Sequence, residues 1–312
     1  MMAIMIGLII GIGLPIQTSI NTRLRLAVKS PFVASLISFL FGMVFLALLI
    51  LIQKKTLFLS SQMLIQQPIW IWFGGILGVI YLTTNILLFP HLGSIQTVIM
   101  PILGQILMGL LIDNFGFFDS KVQHLMPMRL VGAGLVVIGV VGAVSINQLL
   151  AKRQNKIASS VNKTPNLWPY RLVGVIAGMV SASQTAINGH LGLILNSPIK
   201  AAFISFAVGT LLLIILVLIL RPQVSLNQAG GRNPWWMWFG GFIGAVFVLG
   251  NAYLVPILGT GLAVVIVLVG LIIGSLLIDQ FGLLAAQKNT VTFAQFLSLL
   301  VMIFGVVIIR VL

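Results

Sequence analysis

The sequence predicts an all-α integral membrane protein with ten transmembrane helices, arranged as two inverted five-helix repeats. Three observations carry that prediction. First, 60 % of the 312 residues are hydrophobic and only 6 % are charged. An ordinary soluble domain is about 25 % charged, so this chain cannot clothe a water-facing surface. Second, apolar runs of the roughly 20 residues a helix needs to cross the hydrocarbon recur along the whole chain. Third, the chain writes itself twice. The stretch QTSINTRLRLAVKSPFVASLISFLFG (17–42) returns as QTAINGHLGLILNSPIKAAFISFAVG (184–209). PIWIWFGGILGVIYLTTNILLFPHLG from Pro68 returns as PWWMWFGGFIGAVFVLGNAYLVPILG from Pro234, and LLIDNFG around Asp113 as LLIDQFG around Asp279. Self-similarity at so long a period, in an apolar chain, indicates two membrane half-domains that enclose a site between them.

Only helices or a closed barrel satisfy backbone groups in lipid, and continuous apolar runs exclude the alternating strands of a barrel. Hydropathy places the first five spans at about 2–21, 32–52, 69–89, 93–113 and 129–150. The second five fall at about 170–189, 199–220, 235–255, 259–279 and 291–311. The division is therefore 1–150 for the first repeat, 151–169 (AKRQNKIASSVNKTPNLWP) for a basic linker, and 170–312 for the second repeat. The N-terminal MMAIMIGLII lacks the basic segment of a signal peptide and reads as the start of the first span.

Five spans per repeat is an odd number, so the second repeat enters the membrane upside down relative to the first. Lys and Arg then choose which way up. Arg23, Arg25, Lys29, Lys152, Arg153, Lys156, Lys163, Arg171, Arg221, Arg232 and Lys288 fall on the linker's side. Lys54, Lys55, Lys121, Arg129, Lys200 and Arg310 fall opposite. The excess places the linker in the cytoplasm and both termini outside, in a multi-pass protein of a bacterial plasma (inner) membrane. The net charge of +14 is thus spent on orientation, and no nucleic-acid partner is expected. The chain holds no Cys, which excludes disulfides, thiolate chemistry and Cys metal sites. It also lacks paired carboxylates and an H-E-x-x-H motif, so neither an enzyme nor a metal or other cofactor is expected.

Glycines recur four residues apart at Gly7/Gly11, Gly74/Gly78, Gly174/Gly178, Gly240/Gly244 and Gly270/Gly274. Such spacing lets helix backbones approach closely where lipid supplies no hydrophobic drive. No span carries a charge near its middle. Asp113 and Asp279 read as solvated turns that stop their helices, with a gate or coupling role as the alternative, and His91, His124 and His190 as headgroup-level residues.

What remains inside the spans is amide, hydroxyl and aromatic. Gln17 and Asn21 share a helix face, and Gln184 and Asn188 repeat the pair; Tyr81 and Asn85 share a face of the third span, matched in part by Asn251. Two readings stand side by side, interhelical hydrogen bonding or the lining of a central cavity. The fourth span breaks the symmetry: Gln96, Thr97, Pro101 and Gln105 stand where the ninth has Leu262, Ala263, Val267 and Leu271. Pro101 is expected to kink its helix. Gln96 and Gln105, nine residues apart, point to nearly opposite sides; Gln105 is the preferred cavity residue, and a simple kink with an amide staple is the alternative. Trp70, Trp72, Trp235, Trp236 and Trp238 read as interface anchors, or as an aromatic wall for a cation.

Taken together, Q-x-x-I-N, the S-P before the second span, S-F-x-x-G within it, W-x-W-F-G-G-x-x-G, N-x-x-L-x-P-x-L-G and L-L-I-D-x-F-G resemble the YdcZ-like branch of the drug/metabolite transporter superfamily. The resemblance covers nearly the whole chain twice. It implies a ten-helix transporter fold in the fused form, with a cavity lined mainly by spans 1, 3, 4, 6, 8 and 9. Small multidrug relatives couple protons through a glutamate in the first helix; this chain has no glutamate. The expected function is transport of a small neutral or zwitterionic organic metabolite by alternating access, as a facilitator or exporter, by a monomer or homodimer. The alternatives are a non-transporting assembly or sensory subunit, and an exporter of organic cations held by aromatic contacts.

Overall fold

The computed structural model describes residues 1–59, 61–120, 122–157, 166–224, 233–286 and 288–311. Side chains are described for these except 61, 62, 64, 145–157, 251–253, 255–263, 285, 310 and 311. Every regular element among the described residues is helical. They are α1 (Met2–Val28), α2 (Pro31–Ile52), the short α3 (Ser61–Gln66), α4 (Gly74–Phe115), α5 (Pro127–Ile157), α6 (Trp168–Ile194), α7 (Pro198–Leu220), α8 (Gly240–Phe281) and α9 (Phe293–Val311). Seven helical stretches are long and apolar enough to cross a membrane. α5 runs on to Ile157, into the stretch expected to be linker.

The repeated Ser-Pro pairs work as helix starts. Ser30 Oγ accepts the Val33 N–H at 3.3 Å and Ser197 Oγ the Lys200 N–H at 3.3 Å. Each places Pro at the first helical position, where no N–H is needed, and each cap contributes about 1 kcal/mol.

α4 has 42 residues, about 63 Å as a straight helix and twice the roughly 30 Å hydrocarbon thickness. It is not straight. Gly93 takes φ 73°, ψ 179°, a conformation open to glycine alone. At Gly174 of α6, a Cβ would meet both Met100 Cβ (2.8 Å) and Leu88 Cδ1 (3.5 Å). The two arms of α4 therefore lie side by side as a helical hairpin. α8 doubles back likewise, since Gly7 of α1 faces both Leu254 and Ile266. Within α4 the non-helical backbone sits at Gly93, at the junction of the spans expected at about 69–89 and 93–113, whereas Pro101 stays inside the helix.

Contacts fix the sense of each rod. Asn21 meets Ser38, Ser35 meets Thr83, and Phe39 lies at Gly78, so α1, α2 and the first arm of α4 alternate in direction. α6 runs against that first arm, with Gln184 at Gly78 and Asn188 at Gly74. It runs along the second arm, with Gly174 at Met100 and Gly178 at Pro101. α6 is therefore antiparallel to α1, its counterpart, and the repeats are inverted. α1 returns the arrangement, seated on α8 with Gln17 at Gly244 and Asn21 at Gly240. Near the symmetry axis Phe39 and Phe206 pack with centroids 5.1 Å apart. The second arms of α4 and α8 join α5 and α9 around Ile99, Val136, Val140, Leu268, Met302 and Val306.

Candidate functional site

Four of the sequence-predicted polar residues form two matched clasps. Asn21 Nδ2 donates to Ser38 Oγ at 3.2 Å while its oxygen lies against Gly240. Asn188 Nδ2 donates to Ser205 Oγ at 3.2 Å, and its oxygen lies against Gly74. Gln17 presses its amide on Gly244 and Gln184 on Gly78. In each clasp a first-helix amide bonds the following helix of its own repeat and packs on a glycine of the other. Such bonds contribute about 1 kcal/mol each within a membrane. Asn251 is the register partner of Asn85, and its side chain lies outside the described residues.

The other candidates gather elsewhere. Tyr81, on the first arm of α4, and Gln105, on the second, converge on Ser181 of α6, and Asn85 stands beside Tyr81. Gln105 Nε2 donates to Ser181 Oγ at 3.1 Å, and the Tyr81 hydroxyl lies within hydrogen-bonding reach of Ser181 and Asn85. Asn85 is 3 % exposed and its side-chain oxygen has no hydrogen-bond partner among the described residues. Tyr81 and Gln105 lie twelve residues either side of Gly93, about 18 Å from the hairpin tip and close to mid-membrane.

Toward the tip, Gln96 meets a second group. Arg171 of α6 is 2 % exposed, donates from Nε to Gln96 Oε1 at 3.0 Å, and lies 5.6 Å over the Trp168 ring. Its Nη1 and Nη2 have no partner among the described residues. Tyr170 and His91 stack beside it at 4.2 Å. Gln96 and Gln105 thus both address α6, contrary to the opposite faces expected from their spacing. The long Arg171 side chain reaches round to Gln96, whereas Gln105 meets Ser181 directly. The two amides remain at different depths.

This polar seam has no twin. Where α4 and α6 carry Tyr81, Gln105, Ser181, Gln96 and Arg171, the register positions of the other repeat are Phe247, Leu271, Leu14, Leu262 and Ile4. Ser181 and Arg171 were not anticipated from sequence, although the repeat comparison signals both. Arg171, expected in a loop, is instead buried in the fold.

Asp279 is a further correction. It is 2 % exposed rather than solvated, and its carboxylate accepts the Ser94 N–H at 2.8 Å and the Ile95 N–H at 2.9 Å. It thereby caps the second arm of α4 from the other repeat, where the helix dipole favours an anion. Asp113 pairs with Arg129 at 3.9 Å. His190 approaches Asp119 at 3.5 Å and the Trp70 ring at 5.4 Å. A groove of about 350 Å³ between α8 and α9, lined by Ile273, Leu277, Phe281 and Phe296 among others, is apolar and outward-facing.

An inverted pair of helical repeats enclosing a polar seam defines a multi-pass membrane protein of the transporter class. The family described as "Putative inner membrane exporter, YdcZ" matches residues 2–142 and again 169–308, and the chain belongs to that family. No curated protein matches the sequence. One solved structure, described only as "Crystal structure of protein", shares the fold with a TM-score of 0.60 at 15 % identity, covering 98 % of this chain and 97 % of that one. At that identity the likeness speaks for the fold alone.

Proposed function

We propose that the protein moves a small neutral or zwitterionic organic metabolite across the plasma membrane by alternating access, as a facilitator or exporter. Counting each doubled helix as two crossings gives ten, with the linker cytoplasmic and both termini outside. The observation that carries the reading is the one-sided seam. A purely structural amide network has no need to differ between copies, whereas a single asymmetric substrate needs different groups on its two flanks. Tyr81, Asn85, Gln105 and Ser181 offer both donors and acceptors at mid-membrane, and the Asn85 oxygen still has acceptor capacity to give a ligand. The buried Asp279 carboxylate is engaged by the Ser94 and Ile95 N–H groups, which supports a cycle without a dedicated proton-coupling acid.

The test is Gln105→Leu, which installs the residue found at position 271. In proteoliposomes this variant should lose at least about tenfold in transport, the cost of roughly 1.4 kcal/mol of lost interaction, while its thermal stability stays near wild type. Unchanged transport removes Gln105 from the site. The substrate itself is sought by thermal shift across amino acids, nucleosides, sugars and quaternary amines, since a ligand that binds the folded state raises Tm. The purified protein is expected as a monomer or homodimer.

A further inference from the structure

Arg171 is the strangest group in the molecule. A guanidinium carries five donors and is never deprotonated in proteins. Here it is 2 % exposed, yet only Nε is engaged, by the neutral oxygen of Gln96. Nη1 and Nη2, the pair that forms the outer fork, have no partner among the described residues. No carboxylate lies within ion-pair distance of it there: the described ion pairs join Arg129 to Asp113 and His190 to Asp119. A buried charge left unpaired is costly unless something completes it.

The surroundings show what would complete it. Gln96 fixes the guanidinium plane through Nε, and the Trp168 ring lies 5.6 Å from its carbon. The free edge is therefore oriented, and a planar fork of two N–H donors matches the two oxygens of a carboxylate or phosphate. In the other repeat Ile4 and Leu262 stand at the matching positions, so the feature is not a requirement of the fold. We propose that Arg171 is an anion-docking residue at the linker-side mouth of the seam, taking a carboxylate or phosphate group on Nη1 and Nη2. The proposal rests on the transport reading in one respect: it makes the anion part of the transported molecule, narrowing the substrate to one that carries an oxyanion. The same chemistry is offered by a phospholipid headgroup.

The experiment uses the full chain in dodecyl maltoside, with chloride as the only small anion and either inorganic phosphate or acetate added at matched ionic strength. Wild type should gain about 2–4 °C in Tm at several-fold saturation. Arg171→Gln should lose that gain, because it removes the charge and the fork together. No gain in wild type, or an equal gain in a folded Arg171→Gln protein, overturns the proposal. If Arg171→Gln does not fold, Arg171→Lys decides. It keeps the charge and loses the fork, so its gain should fall at least severalfold, and an undiminished gain counts against docking on the fork. Phosphatidylglycerol in the micelle separates the sources. If it abolishes the phosphate gain in wild type, the occupant is a headgroup; if the gain persists, the occupant is a soluble anion. These readouts require no transport. A failure here leaves the mid-membrane site standing, and a transport-competent Gln105→Leu protein would leave the docking result standing.

Discussion

Asp279 holds the tip of the α4 hairpin with two hydrogen bonds to backbone N–H groups 185 and 184 residues away. At a helix start buried in a membrane protein, water is not available to replace them. Asp279→Ala is therefore expected to cost about 2–4 kcal/mol, from lost charge-assisted bonds and stranded donors. Asp279→Asn should recover part of it, since one oxygen still accepts. Thermal denaturation in micelles reads this directly, and an Asp279→Ala protein with wild-type Tm would contradict the capping role. Little of this was legible beforehand. The LLID-x-FG motif is kept in both repeats, so comparing them marks Asp279 as ordinary, and its partners lie in the other half of the chain. The amides were legible to the level of residue type. Their spacing put Gln17 with Asn21 and Gln184 with Asn188 on one face, but the packing of Gly240, Gly244, Gly74 and Gly78 against them is visible only in the fold.

Helix contacts were better legible, because lipid leaves small-residue spacing as the main association signal. All five glycine pairs noted from sequence lie in close helix contacts. The clearest is Gly178, where a Cβ would run into the Pro101 carbonyl. Gly178→Ala must push α6 off the second arm of α4 and is expected to cost about 1–3 kcal/mol, as over-packing does. Gly134 on α5 has nothing within 4 Å of its Cβ position. Gly134→Ala should be neutral or gain up to about 1 kcal/mol of helix propensity. Guanidinium-free thermal melts of the two variants separate them, and equal effects would mean the contact at Pro101 is not tight. The hairpin turn was placed to within a few residues, between the spans expected at about 69–89 and 93–113, and it falls at Gly93, well before the proline at 101. Pro keeps φ near its helical value and only bends a helix, whereas the Gly93 torsions reverse the chain.

At the scale of the molecule, the repeats and their inversion followed from counting, since an odd number of crossings leaves the second copy upside down. The seating of α6 in the hairpin of α4, and of α1 on α8, did not follow, because periodicity says nothing about which rods exchange partners. The proposed orientation has a direct check. The chain has no Cys, so single cysteines at Met2, Ala158 and Gln287 report side alone. With an impermeant maleimide on intact spheroplasts, Met2 should label and the other two should not. Labelling of Ala158 or Gln287, or protection of Met2, reverses the assignment. The Arg171 charge at the proposed cytoplasmic mouth also weighs against organic cations, which it would repel before they reached the aromatic rings.

The polar seam runs between α4 and α6, while its register positions on α1 and α8 are Ile4, Leu14, Phe247, Leu262 and Leu271. Duplication built two flanks and only one was given chemistry. The stoichiometry follows: a titration should saturate at one molecule per polypeptide, never two, and a homodimer should hold two that ignore each other.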